Sequence, residues 1–302
     1  MPFKSQLHID QLLSNVSIKY GGGQFLAMKI FPEVAVTKDT DKYRIYQPNF
    51  RVPQTLRANR GKAREHYFEV STSSYALEDH ALKDYISEDD KDNYDIADLR
   101  VDTTENLTDT ILRRLEKSVM DLFTTTNWSL NTSLAATGLW TLDTVQSNPL
   151  PVVDTALSSV LRNSGQRPNF GLISLGGFVG VKNHQSVTDR IKYTQTAVIT
   201  EQLLATLFGV PEFYVSEAQI DTSDLGRTTT VQGFFTDACF FGYKPPRASP
   251  KAPSAGYVFR KNVPMVRRWF DDERNCEAIE VRMKYSAKVV ASLSGYLINN
   301  IE

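Results

Sequence analysis

Residues 48–66 form a stretch that cannot fold by itself. Apolar side chains are few in it, Pro48 and Pro53 interrupt regular structure, and most other side chains are Arg, Gln, Asn and Lys. Without apolar surface to bury, such a segment has no stabilising core of its own. The flanking residues 43–46 and 67–77 are rich in aromatic and β-branched side chains, which is typical of strands. The sequence therefore predicts a long two-stranded excursion whose tip is stabilised only on another molecule.

Opposite charges are concentrated in neighbouring parts of the chain, although the formal net charge is only −1. The tip of the excursion is basic, and an acidic run from Glu78 to Asp109 follows it. Because the basic loop of one copy can meet the acidic edge of another without net repulsion, this pattern favours a protein that binds copies of itself. The residues predicted to make that contact are Arg51, Arg57, Arg60, Lys62 and Arg64 on the basic side and Glu88, Asp89, Asp90 and Asp92 on the acidic side.

Two other interpretations of the basic loop stay open. It can be a solvated surface loop with no partner, or an arginine-rich segment that grips nucleic acid. Against the second, the neighbouring acidic run repels phosphates, and a sequence pI of about 6.5 lacks the positive excess of nucleic-acid binders. Nucleic-acid binding is therefore not expected to be the main function.

Composition also bounds the cellular setting. A chain of 302 residues that is 41% hydrophobic can bury a core in one large or two modest domains. Its first residues lack the apolar region of a signal peptide, and no stretch approaches the roughly 18 apolar residues of a membrane span. We therefore expect synthesis in the cytoplasm and no membrane partner. Cys239 and Cys276 are too few for a disulfide framework, and we expect two buried thiols.

The clearest helix is predicted near residues 103–125. Asp102 and Glu105 have the spacing of a capping box, in which two side chains satisfy free backbone amides at the helix start. An apolar ridge with four-residue spacing follows, which indicates one buried and one solvated face. The residues of the ridge are Leu107, Ile111, Leu115 and Val119.

Helices and short strands alternate after Pro149 and Pro151, which indicates α+β or α/β structure. The predicted elements are a helix capped by Asp154 and ending near Gly165, a strand over 170–175, a helix after Gly177, a helix capped by Thr200 and ending at Gly209, and a strand over 212–215. The proline-dense stretch 244–254 is predicted to be a loop. A long hairpin over 263–270 and 277–290 closes the chain, and a short hairpin is predicted near its start, over 34–36 and 43–46.

Residue patterns for catalysis or metal binding are missing from the sequence. The four histidines, at positions 8, 66, 80 and 184, are dispersed, so we expect no metal and no cofactor. The glycines around Gly176 follow a strand and open a helix as a phosphate cradle does, but tight packing explains them better. Ser174 misses the nucleophile elbow pattern and is expected to be a buried strand serine. The alternative of a soluble α/β enzyme, with a ligand at this glycine turn and carboxylates from the acidic run, remains open but is not preferred.

The order of these parts resembles the Hong Kong 97-type major capsid proteins of tailed bacteriophages. The likeness extends over nearly the whole chain and is weakest over 128–149. The stretches that carry it are 31–36 and 41–46 at the entry to the excursion, 189–195 and 203–210 in the centre, and 266–273, 279–282 and 295–298 at the close.

The resemblance implies an α+β capsid fold in which each part of the chain has a place. The implied parts are an N-terminal arm over 1–24, a peripheral domain over 25–47 and 78–150 with the long spine helix, an extended loop over 48–77, an axial domain over 151–258, and a β return over 259–302 that passes through the peripheral domain and ends in the axial domain. The extended loop is implied to lie over a neighbouring subunit.

The resemblance also implies a function and partners. The chain is expected to be a structural protein of the virion, not an enzyme, that assembles into hexamers and pentamers of an icosahedral or prolate shell around double-stranded DNA. Scaffolding, portal and decoration proteins are possible partners, and any scaffold is expected to be a separate chain. A phage tail or tube protein is a second structural alternative, which would form open stacks instead of closed shells.

The basic tip generates a first prediction. Reversing the charge of Arg57, Arg60 and Arg64 together should block or weaken shell formation while the monomer stays folded, because the tip would then repel the acidic edge. Electron microscopy of the expressed variant checks shell formation, and circular dichroism checks folding. Normal shells from this triple variant would refute the assignment of the tip.

Overall fold

The structure, a computed structural model, describes most of the chain. The described residues are 25–46, 50, 52–57, 59–63, 65–66, 70–89, 99–142, 147–192, 199–223, 226–249, 252–261 and 264–302. Within these ranges, helices and strands are both present, and the strands form two five-stranded sheets and two two-stranded ribbons. The predicted α+β class is confirmed.

The described helices are α1 (Ala27–Ile30), α2 (Leu99–Met120), α3 (Pro149–Ser164), α4 (Leu175–Asn183), α5 (Gln185–Ile191) and α6 (Glu201–Phe208). The described strands are β1 (Glu33–Ala35), β2 (Thr40–Tyr46), β3 (Val70–Ala76), β4 (Glu78–Ser87), β5 (Leu130–Ser133), β6 (Phe170–Ser174), β7 (Glu212–Ser216), β8 (Gln219–Asp221), β9 (Val231–Gly233), β10 (Ala238–Gly242), β11 (Gly256–Arg260), β12 (Met265–Asp271), β13 (Cys276–Val289) and β14 (Gly295–Asn299).

The first sheet is organised around β13, which is 14 residues long. It pairs antiparallel with β12, with β11 and with β4, and β1 joins β11 in parallel. Alternate residues of β13, from Ile279 to Tyr285, are buried on the face against which α2 packs. The predicted closing hairpin is therefore confirmed, with its turn at residues 272–275.

The second sheet has the strand order β5-β14-β10-β6-β7. Its central strands β6 and β10 are buried at every position, as expected for strands covered on both faces. The second sheet therefore combines strands from distant parts of the chain, since β5 precedes α3 and β14 follows β13. The domain boundaries implied by the resemblance stay a prediction.

Strands β2 and β3 form the predicted two-stranded excursion. They pair antiparallel from Thr40 opposite Ala76 to Tyr46 opposite Val70, which confirms that residues 47–69 connect two paired strands. The short hairpin expected between residues 34–36 and 43–46 is wrong, because β1 pairs instead with β11. Val34 of β1 is buried there beside Tyr257 and Phe259, and this burial favours the pairing of β1 with β11.

Two predicted helix starts are also wrong. Helix α2 includes Leu99, so Asp102 lies in its first turn and is not the cap. The apolar side chains of Leu99 and Val101 pack against the core, which favours the extra helical turn. The helix ends at Met120, a turn earlier than expected, although Ile111, Leu115 and Val119 of its predicted ridge are buried.

Helix α3 begins before its predicted cap, Asp154. Asn148 is the cap, and its side chain accepts the N–H of Leu150 at 3.1 Å. Pro149 fits the first helical position because its missing N–H needs no partner there. The predicted end at Gly165, the cap at Thr200 and the end at Gly209 are confirmed, and both glycines have positive φ.

Two further expectations concern the proline-dense stretch and the helices that could cross a membrane. The described residues of the proline-dense stretch 244–254 contain no helix or strand, as predicted. None of the helices within the described ranges is both long and apolar enough to cross a membrane.

Close packing around Gly295 generates a second prediction. A Cβ atom at this position would overlap the buried rings of Phe240 and Trp128. We expect Gly295→Ala to lower the free energy of unfolding by about 1–3 kcal/mol, the usual cost of overpacking. Chemical denaturation measures this difference. Gly233→Ala is the matched control, since its Cβ would meet its nearest atom at 3.3 Å, and an equal loss in both variants would contradict the prediction.

Candidate subunit interface

The tip of the excursion presents cations to solvent. Arg57, Arg60 and Lys62 are exposed, and no hydrogen bond or ion pair joins them to another described residue. Arg51 and Arg64, also predicted for this contact, lie outside the described residues. The three described cations are therefore available to a partner.

The same tip exposes apolar side chains. Phe50 is 61% exposed, Leu56 is 83% exposed and Val52 is 95% exposed. Exposed apolar residues next to unpaired cations are typical of a surface that a partner covers. This supports the prediction that the tip cannot bury itself.

The foot of the excursion, in contrast, is firmly attached to the first sheet. The ring of Tyr75 stacks on Phe259 with centroids 4.6 Å apart, and Tyr43 lies 5.4 Å from the same ring. All three rings are buried. The orientation in which the excursion leaves the body is therefore fixed by β11.

Charges add to this attachment. Asp39, which precedes β2, accepts hydrogen bonds from Lys261 at 2.7 Å and from Lys284 at 3.3 Å. The hydrogen bond from Lys261, with help from Lys284, lowers the pKa of Asp39. The two hydrogen bonds to Asp39 therefore stabilise the fold at neutral pH. This stabilisation is lost as the pH falls through the lowered pKa of Asp39.

The excursion leads toward the second sheet. Ile45 of β2 lines a groove with Asn163, Ser164, Gln166, Pro253 and residues 290–294. Further along, the ring of Phe50 lies so close to Gly165 that a Cβ atom there would be 2.9 Å from the ring. The excursion therefore passes the carboxyl end of α3.

The acidic side of the predicted contact lies elsewhere. Glu88 and Asp89 are exposed and directly follow β4, whose last residue, Ser87, pairs with Cys276. Asp90 and Asp92 lie outside the described residues. The described pair is thus close to the turn of the β12–β13 hairpin, which contributes the acidic residues Asp271, Asp272 and Glu273. We call this region the hairpin end.

The hairpin end also exposes two aromatic side chains. Trp269 is 36% exposed and Phe270 is 49% exposed, on adjacent positions of β12. The sequence analysis did not single them out, although a signal was present. Consecutive strand residues face opposite sides, so Trp269 and Phe270 cannot both enter one core.

The foot of the excursion and the hairpin end lie at opposite ends of β13. Lys284, which binds Asp39 at the foot, is eight positions from Cys276, which pairs with Ser87 at the hairpin end. At roughly 3.3 Å per residue, this spacing separates the two regions by about 25 Å. Between the described residues of the two predicted sets, Arg57, Arg60 and Lys62 on one side and Glu88 and Asp89 on the other, the structure shows no hydrogen bond or ion pair.

A catalytic site is not supported at the positions considered from the sequence. Ser174 is buried, as predicted, and its hydroxyl caps α4 by accepting the N–H of Gly177. The carboxylate of Glu302 occupies the glycine turn and accepts the N–H groups of Gly177 and Asp237, both at 3.1 Å. The Gly177 amide, which a phosphate at this turn would need, is therefore already bonded, and the predicted tight packing at this turn is confirmed by Ile301, which a Cβ atom at Gly177 would overlap.

His184 and Cys239 have structural positions. His184 caps α5 and lies 2.9 Å from the Ser147 hydroxyl, but both residues are buried and cannot meet a substrate. Cys239 is buried, which raises the pKa of its thiol, while Cys276 is half-buried instead of buried as expected. The described residues contain no cluster of three or more metal-ligating side chains.

One buried charge escaped the sequence analysis altogether. Glu116 on α2 is fully buried and accepts the N–H groups of Leu26 and Ala27 at 3.0 and 2.6 Å. In the sequence it is one of several charged residues of the helix, and nothing marks it as the one that faces inward.

Comparisons with known proteins agree with the predicted resemblance. The chain is 27% identical to the major capsid protein of Burkholderia phage BcepMu over 97% of this chain and 96% of that protein. Its structure matches a phage-related protein from Bordetella bronchiseptica with a TM-score of 0.80 and 20% identity, over 98% of both chains. No family model matches the chain.

Two more distant structures share the fold. The virus-like particle from Pyrococcus furiosus matches 96% of this chain and 98% of its own, with a TM-score of 0.60 and 10% identity. The capsid protein in the structure of cyanophage P-SCSP1u matches 89% of this chain and 85% of its own, with a TM-score of 0.60 and 8% identity. The predicted resemblance to Hong Kong 97-type capsid proteins is thus confirmed at the level of the fold.

The stacked rings at the foot generate a third prediction. Tyr75→Ala should leave a cavity beside Phe259 and lower the free energy of unfolding by about 3 kcal/mol. It should also speed tryptic cleavage at Arg57, Arg60 and Lys62, because a loosened excursion reaches the protease more easily. Mass spectrometry of the early fragments measures this. Tyr75→Phe keeps the ring and should behave as the unaltered protein; the same cleavage rate in all three would contradict the role of the stack.

Proposed function

We propose that this chain is a major capsid protein of the Hong Kong 97 type, a structural subunit of a phage shell. The observation that carries the proposal is the similarity to a phage major capsid protein along almost the entire length of both chains, together with a capsid fold. A soluble enzyme is not favoured, since the glycine turn is filled by Glu302. We place the protein in the virion and its synthesis in the host cytoplasm.

The proposed contact between copies runs from the tip of one chain to the hairpin end of another. The tip offers unpaired cations and exposed apolar side chains, and the hairpin end offers carboxylates and exposed aromatic rings. These surfaces match in charge and in polarity. Because the tip and the hairpin end are different surfaces of the chain, the contact is heterologous, so that successive copies can close into rings.

Rings of this kind account for the hexamers and pentamers of a closed shell. Many modest contacts then act together, so the shell is durable while each contact stays reversible. We propose that the shell encloses double-stranded DNA without reading its sequence, and that scaffolding, portal and decoration proteins are the other partners. Negative-stain microscopy of the expressed protein tests this function. Closed particles or rings would support the capsid function, whereas open stacks would indicate a tube protein. Small oligomers would contradict both functions.

Charge complementarity generates a fourth prediction. The double reversal Arg57→Glu/Arg60→Glu should abolish particles, and Glu88→Arg/Asp89→Arg should do the same. A chain that carries all four changes should recover particles in part, because the two surfaces again have opposite charge. Particle yield from sedimentation and microscopy is the measurement.

The control reverses two exposed cations elsewhere. Arg190→Glu/Arg247→Glu changes the net charge by the same amount as the tip variant but touches neither surface. It should assemble normally. Assembly of the tip variant, or no recovery in the fourfold variant, would contradict the proposed pairing of tip and hairpin end.

A further inference from the structure

Helix α1 is held at both ends by charged side chains. At its start, Glu116 accepts the N–H groups of Leu26 and Ala27. Near its end, the ammonium group of Lys244 donates to the carbonyl oxygen of Lys29 at 2.6 Å. An acceptor at the start and a cation at the end are the arrangement that the free amides, the free carbonyls and the helix dipole favour.

The two holding residues belong to different sheets. Glu116 lies on α2, which packs against the first sheet. Lys244 follows β10 of the second sheet, and its backbone N–H and C=O are both bonded to the side chain of Asn169, at 2.9 and 2.6 Å. Its ammonium group also pairs with Glu212 of β7. Helix α1 therefore ties the two sheets together.

The surroundings of Glu116 suit a protonated carboxyl group. Both amides donate to Oε2, whereas Oε1 is buried and has no hydrogen-bond partner among the described residues. In the acid form, Oε2 is the carbonyl oxygen and accepts both bonds, and Oε1 carries the proton without an acceptor. In the ionised form, a charged oxygen would lie in the core without a donor, which costs more than an unpaired hydroxyl.

We propose that Glu116 is a pH-sensitive latch between the two sheets, which holds α1 firmly while it is protonated and releases it as it ionises. The charged group that faces Glu116 from α1 is Lys29, and the groups around the other end of the helix are Lys244, Glu212 and Glu201.

The direction of the effect follows from burial. Burial raises the pKa of Glu116, although the two amide bonds and Lys29 oppose the rise. A carboxyl group whose pKa is higher in the closed joint than in water favours opening as the pH rises, because the opened state binds fewer protons. The latch is thus closed in mild acid and loosens toward higher pH. It does not depend on shell formation.

Hydrogen exchange of the full chain tests the latch. Exchange of residues 25–31 is followed from pH 5 to pH 8 and corrected for the intrinsic chemical rate. In the unaltered protein, opening should increase by as much as about tenfold per pH unit between the pKa of Glu116 in the open state and its raised pKa in the closed state, and should level off above the raised pKa. Glu116→Gln should remove this dependence, because an amide cannot ionise. Glu105→Gln, a change of the same kind on the same helix, should keep it.

Two results would overturn the proposal. One is exchange of residues 25–31 that does not change with pH in the unaltered protein, and the other is an equal rise in Glu116→Gln. If Glu116→Gln does not fold, Glu116→Met takes its place, since an apolar side chain of similar length needs no partner in the core.

A variant at the other end of α1 tests the tie between the sheets. Lys244→Met should speed the exchange of residues 25–31 at every pH by a similar factor and leave the dependence on pH in place. Exchange that stays the same as in the unaltered protein would show that Lys244 does not hold α1. All of these measurements use unassembled protein, so a failure of the latch is distinct from a failure to form shells.

Discussion

Backbone pairing along β13 is the interaction on which the rest of the structure depends. Its 14 residues bond to three other strands, and its buried face receives α2. One end of β13 lies beside the foot of the excursion, and the other begins at the hairpin end. Since a strand of this length is extended and stiffened by its neighbours, it keeps the foot of the excursion and the hairpin end apart. A chain that cannot satisfy its own tip is thereby directed toward another copy.

The attachment of the excursion illustrates how rigidity and exposure are divided. Tyr43 and Tyr75 bury their rings against Phe259, so the foot has a core, while Val52 and Leu56 at the tip have none. Burial fixes the direction in which the excursion leaves, and its absence leaves the tip open to a partner. Helix α1 is also fixed in place, because charged side chains associated with both sheets hold it between them.

The sequence predicted the features that depend on residues close together in the chain. The scarcity of apolar residues over 48–66 indicated the excursion, and the spacing of Ile111, Leu115 and Val119 indicated the buried face of α2. The parallel partner of β1 lies far away in the chain and has no local signal, so it could not be predicted. For the same reason, composition identified the charged residues of the proposed interface, whereas the position of Glu88 and Asp89 beside the β12–β13 turn follows from the pairing of β4 with β13.

The late position of β13 and β14 in the chain has a consequence for biosynthesis. The first sheet lacks its central strand until β13 has been made, and β14 lies between β5 and β10 in the second sheet. Neither sheet can therefore close while the ribosome is still adding the preceding residues. Nascent chains in which β13 and β14 are not yet made would then not present finished surfaces to one another on the same messenger RNA.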